Sequence, residues 1–171
     1  MQQANLRSLI VAALFAALVA VATLLLPIPL PGSGYGNLGD ALVVLAGCLL
    51  GPLWGALAAA LGSFLADLLL GYALYAPASF VIKGIMAWAA ALVFLAARKI
   101  APTRLMPSIA AALVAEIFMV CGYFLFENII FDSVVALAAL WGNLLQVGVG
   151  AVAAVLLMLV LPDRLSSWFP K

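Results

Sequence analysis

Long apolar runs occupy most of the chain, and short breaks rich in Pro, Gly or basic residues separate them. A helix needs about 20 apolar residues to cross the hydrocarbon core of a bilayer. Four runs reach this length and end at prolines or charged residues; they are 9–26, 77–97, 107–131 and 134–161. The pattern therefore predicts a transmembrane helix in each of them.

The run 41–70 is harder to interpret, because it is long for one membrane-spanning helix and short for two. It contains Gly51-Pro52 near its middle. Basic residues favour cytoplasmic loops, and here they lie at Arg7, in 98–104 and in 164–171. An even number of spans must separate Arg7 from 98–104 if both are cytoplasmic. Splitting the run at Gly51-Pro52 gives four spans and leaving it whole gives three, so we predict the split.

The predicted fold class is all-α integral membrane, a six-transmembrane-helix bundle with both termini cytoplasmic and a single domain, 1–171. The second span, 40–50, is short, so we expect it to be tilted or to lie in a thinned part of the bilayer. The first apolar run and the small residues at 20–22 also resemble a secretory signal. That run continues to Leu26, which is long enough to span, so we predict a membrane helix instead.

Composition agrees with a membrane protein and narrows its function. The chain is 69% hydrophobic and 8% charged, whereas about a quarter of the residues in soluble domains are charged. A net charge of +1 argues against nucleic-acid binding. Histidine, the commonest metal ligand and general base, is absent, and so are P-loop, HExxH and nucleophile-elbow motifs. We expect no enzyme activity, no metal and no cofactor in this chain.

Ionisable residues at membrane depth are costly and usually face a cavity or a partner. Asp40, Asp67 and Lys83 interrupt the otherwise apolar stretch 36–84. In the six-span topology almost all intramembrane polar residues fall in the extracellular half, as expected for an outward-facing small-molecule pocket. The candidate substrate-binding residues are Asp67, Lys83, Glu116, Tyr123, Glu127, Asn143 and Gln146.

Helical spacing supports part of this set, because Glu116, Tyr123 and Glu127 fall on one helix face. The alternative is a group of buried structural pairs, in which Lys83 neutralises Asp67 or a glutamate. Pairing would not account for the whole set, since three acids face one lysine.

Small residues recur every four positions on the first helix, at Ala12, Ala16 and Ala20. This spacing lets another helix approach closely. From the spacing alone, packing within the same bundle is the better interpretation, and a partner protein is the other.

Several segments together resemble one family, the substrate-specific S components of energy-coupling factor (ECF) vitamin transporters. The strongest similarity lies in 37–40 (NLGD), 62–69 (GSFLADLL) and 75–84 (YAPASFVIKG). The turn at 50–52, the helix with Glu116, Tyr123 and Glu127, and the segment 142–146 (GNLLQ) add to it.

The resemblance implies six helices and a vitamin site near the extracellular surface, under the outer loops 27–39 and 71–77. It also implies docking onto a transmembrane coupling protein and two cytosolic ATPases in a prokaryotic cell membrane. Docking would use small residues of the first helix, and Ala12, Ala16 and Ala20 match that motif. ATP would be hydrolysed by the partners, so the chain itself would need no cofactor.

The substrate class follows only from the chemistry of the candidate residues. Acids and amides suit a small heteroaromatic ring with hydroxyl or amino donors, so we expect a pyridoxine-like or hydroxymethylpyrimidine-like vitamin or precursor. Glu127 would accept a hydrogen bond, Asn143 and Gln146 would bind ring edges, and Tyr123 would stack. Alternatives are a riboflavin-specific S component, a non-transport membrane scaffold protein and, last, an intramembrane enzyme with Glu116 as base.

Overall fold

The computed structural model describes residues 2–25, 27–29 and 35–161. These residues form five helices, α1 (Gln2–Leu25), α2 (Gly39–Leu69), α3 (Ala76–Arg98), α4 (Leu105–Ile130) and α5 (Ser133–Val160), and a short antiparallel ribbon of β1 (Ile28–Pro29) and β2 (Tyr35–Gly36). All five helices are long and apolar enough to cross a membrane. The all-helical membrane class is thereby confirmed. Leu26, at the end of the first predicted span, and the basic residues within 164–171 lie outside the described residues.

Helix α2 is broken where the sequence predicts a break. Gly51 has φ 81° and ψ −179° inside it, a backbone conformation that favours glycine, and Pro52 follows. A Cβ added to Gly55 would lie 2.7 Å from the Cα of Gly47. Eight residues of a continuous helix span about 12 Å, so the chain folds back at Gly51. We call 39–50 α2a and 52–69 α2b. The number of membrane crossings and the side of the termini stay predictions.

Segment α2a is the centre of the bundle. All of its residues except Leu42 and Leu49 are buried, whereas a helix on the surface of a bundle buries one stripe. Its 12 residues give a length of about 18 Å, roughly half the thickness of the hydrocarbon core. The polar first turn of α2a, which carries Asp40, is therefore held inside the bundle and surrounded by the other helices.

The alanine stripe of α1 packs inside the chain. Ala12, Ala16 and Ala20 are buried, and a Cβ added to Gly62 of α2b would collide with the carbonyl oxygen of Ala16. The stripe thus has the intramolecular role that its spacing alone favoured. Ala13 and Ala17, on the other side of α1, are exposed.

We predict that Gly62→Ala destabilises the protein by about 1–3 kcal/mol, because the added methyl overpacks the contact between α1 and α2b. Gly148→Ala is the matched control, since a Cβ there would meet nothing within 4 Å and alanine is the better helix former. Tryptophan fluorescence during thermal unfolding in detergent measures both. Equal melting temperatures for the two variants would contradict the close contact.

Candidate functional site

A pocket opens where α2b ends and α3 begins, and side chains from all five helices and the adjoining loops line it. Every described residue of its lining carries a polar side-chain group; these residues are Thr23, Asn37, Ser63, Asp67, Tyr75, Ser79, Lys83, Tyr123, Glu127, Asn143 and Gln146. In a chain that is 69% hydrophobic, this concentration is not expected of polar residues placed only for helix packing. A few converging polar groups in an enclosed space are typical of a ligand site.

The pocket has little free space inside. Its cavity volume is ≈ 20 Å³. That is room for one or two water molecules. A vitamin-sized ring would therefore have to displace lining side chains or the segment that covers them.

An ion pair lies at the floor of the pocket: Lys83 belongs to the lining, and its partner Asp40 lies behind it, outside the lining. The Lys83 Nζ atom pairs with Asp40 Oδ1, and both side chains are almost fully buried. The Gln146 amide donates a hydrogen bond to the other oxygen, Asp40 Oδ2. The sequence interpretation offered Asp67 or a glutamate as the partner of Lys83, and the structure shows Asp40 in that place. A buried charge without its partner is strongly destabilising. We therefore expect the loss of Lys83 or Asp40 alone to affect the whole group of Lys83, Asp40 and Gln146.

Asp40 supports the pocket from behind the lining, and the predicted substrate-binding set did not include it. It lies at the start of α2a with 0% exposure, and its signal in the sequence was an acid inside an apolar stretch. Sequence reasoning also missed Thr23, Asn37, Ser63, Tyr75 and Ser79. Hydroxyl and amide side chains are common at helix ends and in loops, and nothing in their spacing marks these as pocket residues.

Two hydrogen bonds join α3 and its N-terminal loop to α4 across the pocket. The Tyr75 hydroxyl donates to Glu127 Oε1 at 3.1 Å, and the hydroxyls of Ser79 and Tyr123 are 2.7 Å apart. The Lys83 ammonium also lies 5.3 Å from the centre of the Tyr123 ring, close enough for a cation–π contact. The Tyr123 ring is thus already engaged before any ligand stacks on it.

Aromatic rings around Tyr75 hold the connection between α2 and α3 over the pocket. The Tyr75 ring centre lies 5.1 Å from that of Phe126 and 6.2 Å from those of Tyr72 and Phe131. These are the distances of favourable edge-to-face and tilted ring pairs. This cluster, Tyr72, Tyr75, Phe126 and Phe131, adjoins the pocket through Tyr75, and we call it the cover.

Two lining groups have unused hydrogen-bonding capacity. Glu127 Oε2 and Asn143 Nδ2 are buried and have no hydrogen-bond partner among the described residues. Buried polar atoms normally find partners, and leaving them without one is costly. The pocket lining therefore includes one carboxyl oxygen on α4 and one amide nitrogen on α5 whose hydrogen-bonding capacity is not used by the described residues.

The predicted site residues divide into two groups. Asp67, Lys83, Tyr123, Glu127, Asn143 and Gln146 line the same pocket. Glu116 does not line it: this residue is fully buried, close to Asp40 below the floor. Contact of any of the seven with a substrate stays a prediction. Within the described ranges, no group of three or more His, Cys, Asp or Glu side chains is placed to hold a metal ion.

Five helices of membrane-spanning length around a polar pocket define a multi-pass membrane protein. The family model described as "ECF-type riboflavin transporter, S component" matches residues 3–162. The chain belongs to this family, the S components of ECF transporters. Membership in a family of transporter components argues against the non-transport scaffold alternative.

Two further similarities were found. A solved S component for biotin from an ECF-type ABC transporter has the same fold, with a TM-score of 0.70 and 19% identity over 94% of this chain and 91% of that one. A Pyrococcus woesei protein named "Uncharacterized protein in gap 3'region" is 48% identical over 67 residues, 39% of this chain. The match spans only 45% of that protein's length.

We predict that Lys83→Met destabilises the protein by about 3–5 kcal/mol, since it leaves the buried Asp40 carboxylate without its cation. The double variant Asp40→Asn, Lys83→Met removes both charges and should recover a large part of the loss. Unfolding in mixed SDS micelles measures the free energies. Lys99→Met, at an exposed lysine, is the control and should change stability by no more than about 0.5 kcal/mol. Additive effects of the two substitutions would contradict the pairing.

Proposed function

We propose that the protein captures a small vitamin or vitamin precursor in this pocket and delivers it inward with a coupling protein and two cytosolic ATPases. The observation that carries the proposal is the concentration of polar side chains in the lining, where Glu127 Oε2 and Asn143 Nδ2 are buried and have no hydrogen-bond partner among the described residues. Such groups are stable in an apolar bundle when a ligand supplies their partners. ATP hydrolysis takes place on the partner subunits, so this chain needs no cofactor.

The proposed topology has six membrane crossings, both termini in the cytoplasm and the pocket on the extracellular side of a prokaryotic cell membrane. The reversal at Gly51 supports the sixth crossing, because α2a and α2b lie against each other. The pocket lies at the N-terminal end of α3, and the basic loop 98–104 follows its C-terminal end. These two ends are about 34 Å apart for a helix of 23 residues. By the positive-inside rule the basic end is cytoplasmic.

For the substrate we propose a single heteroaromatic ring, either pyridoxine-like or hydroxymethylpyrimidine-like. Lys83 is already neutralised by Asp40, whereas Asp67 and Glu127 add acidic groups to the wall. The wall therefore favours a neutral or cationic ligand that carries hydroxyl or amino donors. A single ring also requires less widening of a pocket that has room for only one or two water molecules.

Riboflavin is the second candidate, and the family model favours it, because that model describes riboflavin S components. Three fused rings and a polyol chain would need the cover formed by Tyr72, Tyr75, Phe126 and Phe131 to move aside. The polyol hydroxyls would suit the many polar side chains of the lining. The two candidates differ most in how far the pocket must open.

The proposed partner contact is made by α1. Ala12, Ala16 and Ala20 are buried against this chain's own helices. In this conformation they hold α1 in place and do not themselves face a partner. The small residues on the exposed side are Ala13 and Ala17. A helix of the coupling protein approaching α1 would meet these two alanines, which have the same four-residue spacing.

The test of the proposed function is native mass spectrometry of the protein purified from its cells in mild detergent, followed by identification of released small molecules. Thermal shift with pyridoxine, hydroxymethylpyrimidine and riboflavin follows. A stoichiometric vitamin, or a clear rise in melting temperature with one compound, would support the proposal and name the substrate. A ligand-free protein that responds to no B vitamin or precursor would contradict it.

We predict that Asn143→Ala weakens binding of the identified substrate about 10-fold or more, the effect of losing one buried hydrogen bond. Isothermal titration calorimetry measures the dissociation constant. The matched control is Asn128→Ala on α4, whose side chain is exposed and accepts a hydrogen bond from Ser133. Equal affinities of the two variants would show that Asn143 does not contact the substrate.

A further inference from the structure

Glu116 on α4 is the buried acid that the pocket does not use. Its side chain has 0% exposure, and it does not belong to the pocket lining. Neither of its carboxyl oxygens has a hydrogen-bond partner among the described residues. A carboxylate in this position would be without both solvent and hydrogen bonds, which is the least favourable environment for a charge.

Residues of three other helical segments lie near the Glu116 carboxyl. A Cβ added to Gly150 of α5 would collide with Glu116 Oε1 and lie 3.2 Å from the Cβ of Asp40, so both acids lie next to Gly150. Asp40 on α2a is in turn paired with Lys83 on α3. Gln146 on α5 faces Asp40, and Tyr123 on α4 faces Lys83.

The charges of Asp40, Lys83 and Glu116 do not balance if both Asp40 and Glu116 are ionised. Lys83 carries the positive charge of the group, and its ammonium is paired with Asp40. The amide of Gln146 is likewise bound to Asp40. An ionised Glu116 would leave one negative charge at membrane depth, where ionisable groups are expensive. One proton on the Glu116 carboxyl makes the group of Asp40, Lys83 and Glu116 neutral.

A metal ion fits this position less well than a proton. Two acids contribute here, and no larger cluster of metal-ligating side chains exists among the described residues. The backbone of Gly150 also packs directly against Glu116 Oε1, whereas a bound Ca²⁺ takes about six to eight oxygen ligands.

We propose that Glu116 is a proton-binding site beneath the pocket and is a neutral carboxylic acid at neutral pH. The bound proton keeps the floor of the pocket free of net charge inside the membrane. It also leaves Asp40 as the one carboxylate that holds Lys83. This proposal concerns the protein without substrate and stands whether or not the pocket binds a vitamin.

Infrared spectroscopy of the full chain in detergent at neutral pH tests the proposal. We expect the carbonyl stretching band of a protonated carboxylic acid, shifted by exchange into heavy water, and a clear loss of intensity in Glu116→Gln. Asp132→Asn is the control, since Asp132 is exposed and caps α5, and it should leave the band unchanged. No such band in the wild-type protein, or an unchanged band in Glu116→Gln, would overturn the proposal.

Melting temperature gives a second measure. Glutamine has the shape of a protonated glutamate, so Glu116→Gln should melt at the wild-type temperature at neutral pH. A large fall in its melting temperature would mean that the protein depends on a charged Glu116 and would overturn the proposal. A wild-type melting temperature that rises with sodium relative to choline, but not in Glu116→Gln, would assign the site to a metal cation instead.

Discussion

The pairing of Asp40 with Lys83 is the constraint around which the rest of the structure is arranged. Both side chains are almost fully buried, and neither charge would be tolerated in the bundle without the other. The two residues are 43 positions apart in the chain, so the pair fixes the first turn of α2a against α3. The hydrogen bond from Gln146 then brings α5 to the same point. Three helices are thus held in register by one carboxylate, in a protein whose apolar surfaces alone would permit many packings.

The break at Gly51 is what makes this arrangement possible. A continuous helix from Gly39 to Leu69 would be about 46 Å long, well beyond the thickness of the hydrocarbon core. Folding back at Gly51 keeps α2a short, buries it on nearly all sides and places Asp40 in the interior. The polar side chains of the pocket then gather at one end of α2b, α3, α4 and α5. The position of the pocket therefore depends on the chain reversal at Gly51.

The polar groups at the pocket differ in whether all of their oxygen and nitrogen atoms have hydrogen-bond partners. Asp40 has partners at both oxygens and serves as a fixed floor, whereas Glu127 and Asn143 each keep one atom without a partner among the described residues. Tyr75 connects the cover of the pocket to Glu127, so the aromatic cluster and this carboxyl are joined. The chain belongs to the S components of ECF transporters, and this pocket is where we propose that the substrate binds.

The sequence by itself determined the membrane class, the break at Gly51-Pro52 and most of the polar residues that line the pocket. Apolar run length, proline and glycine positions and the rarity of charge are local properties, and they depend on the bilayer more than on tertiary contacts. The tertiary structure alone decided that Asp40 pairs with Lys83, that Glu116 lies below the pocket, and that Ala12, Ala16 and Ala20 face inward. Each of these depends on which helices become neighbours and on their rotation about their own axes. Between apolar helices in a bilayer, that choice comes from close packing and a few polar contacts, and the spacing within one helix does not specify it.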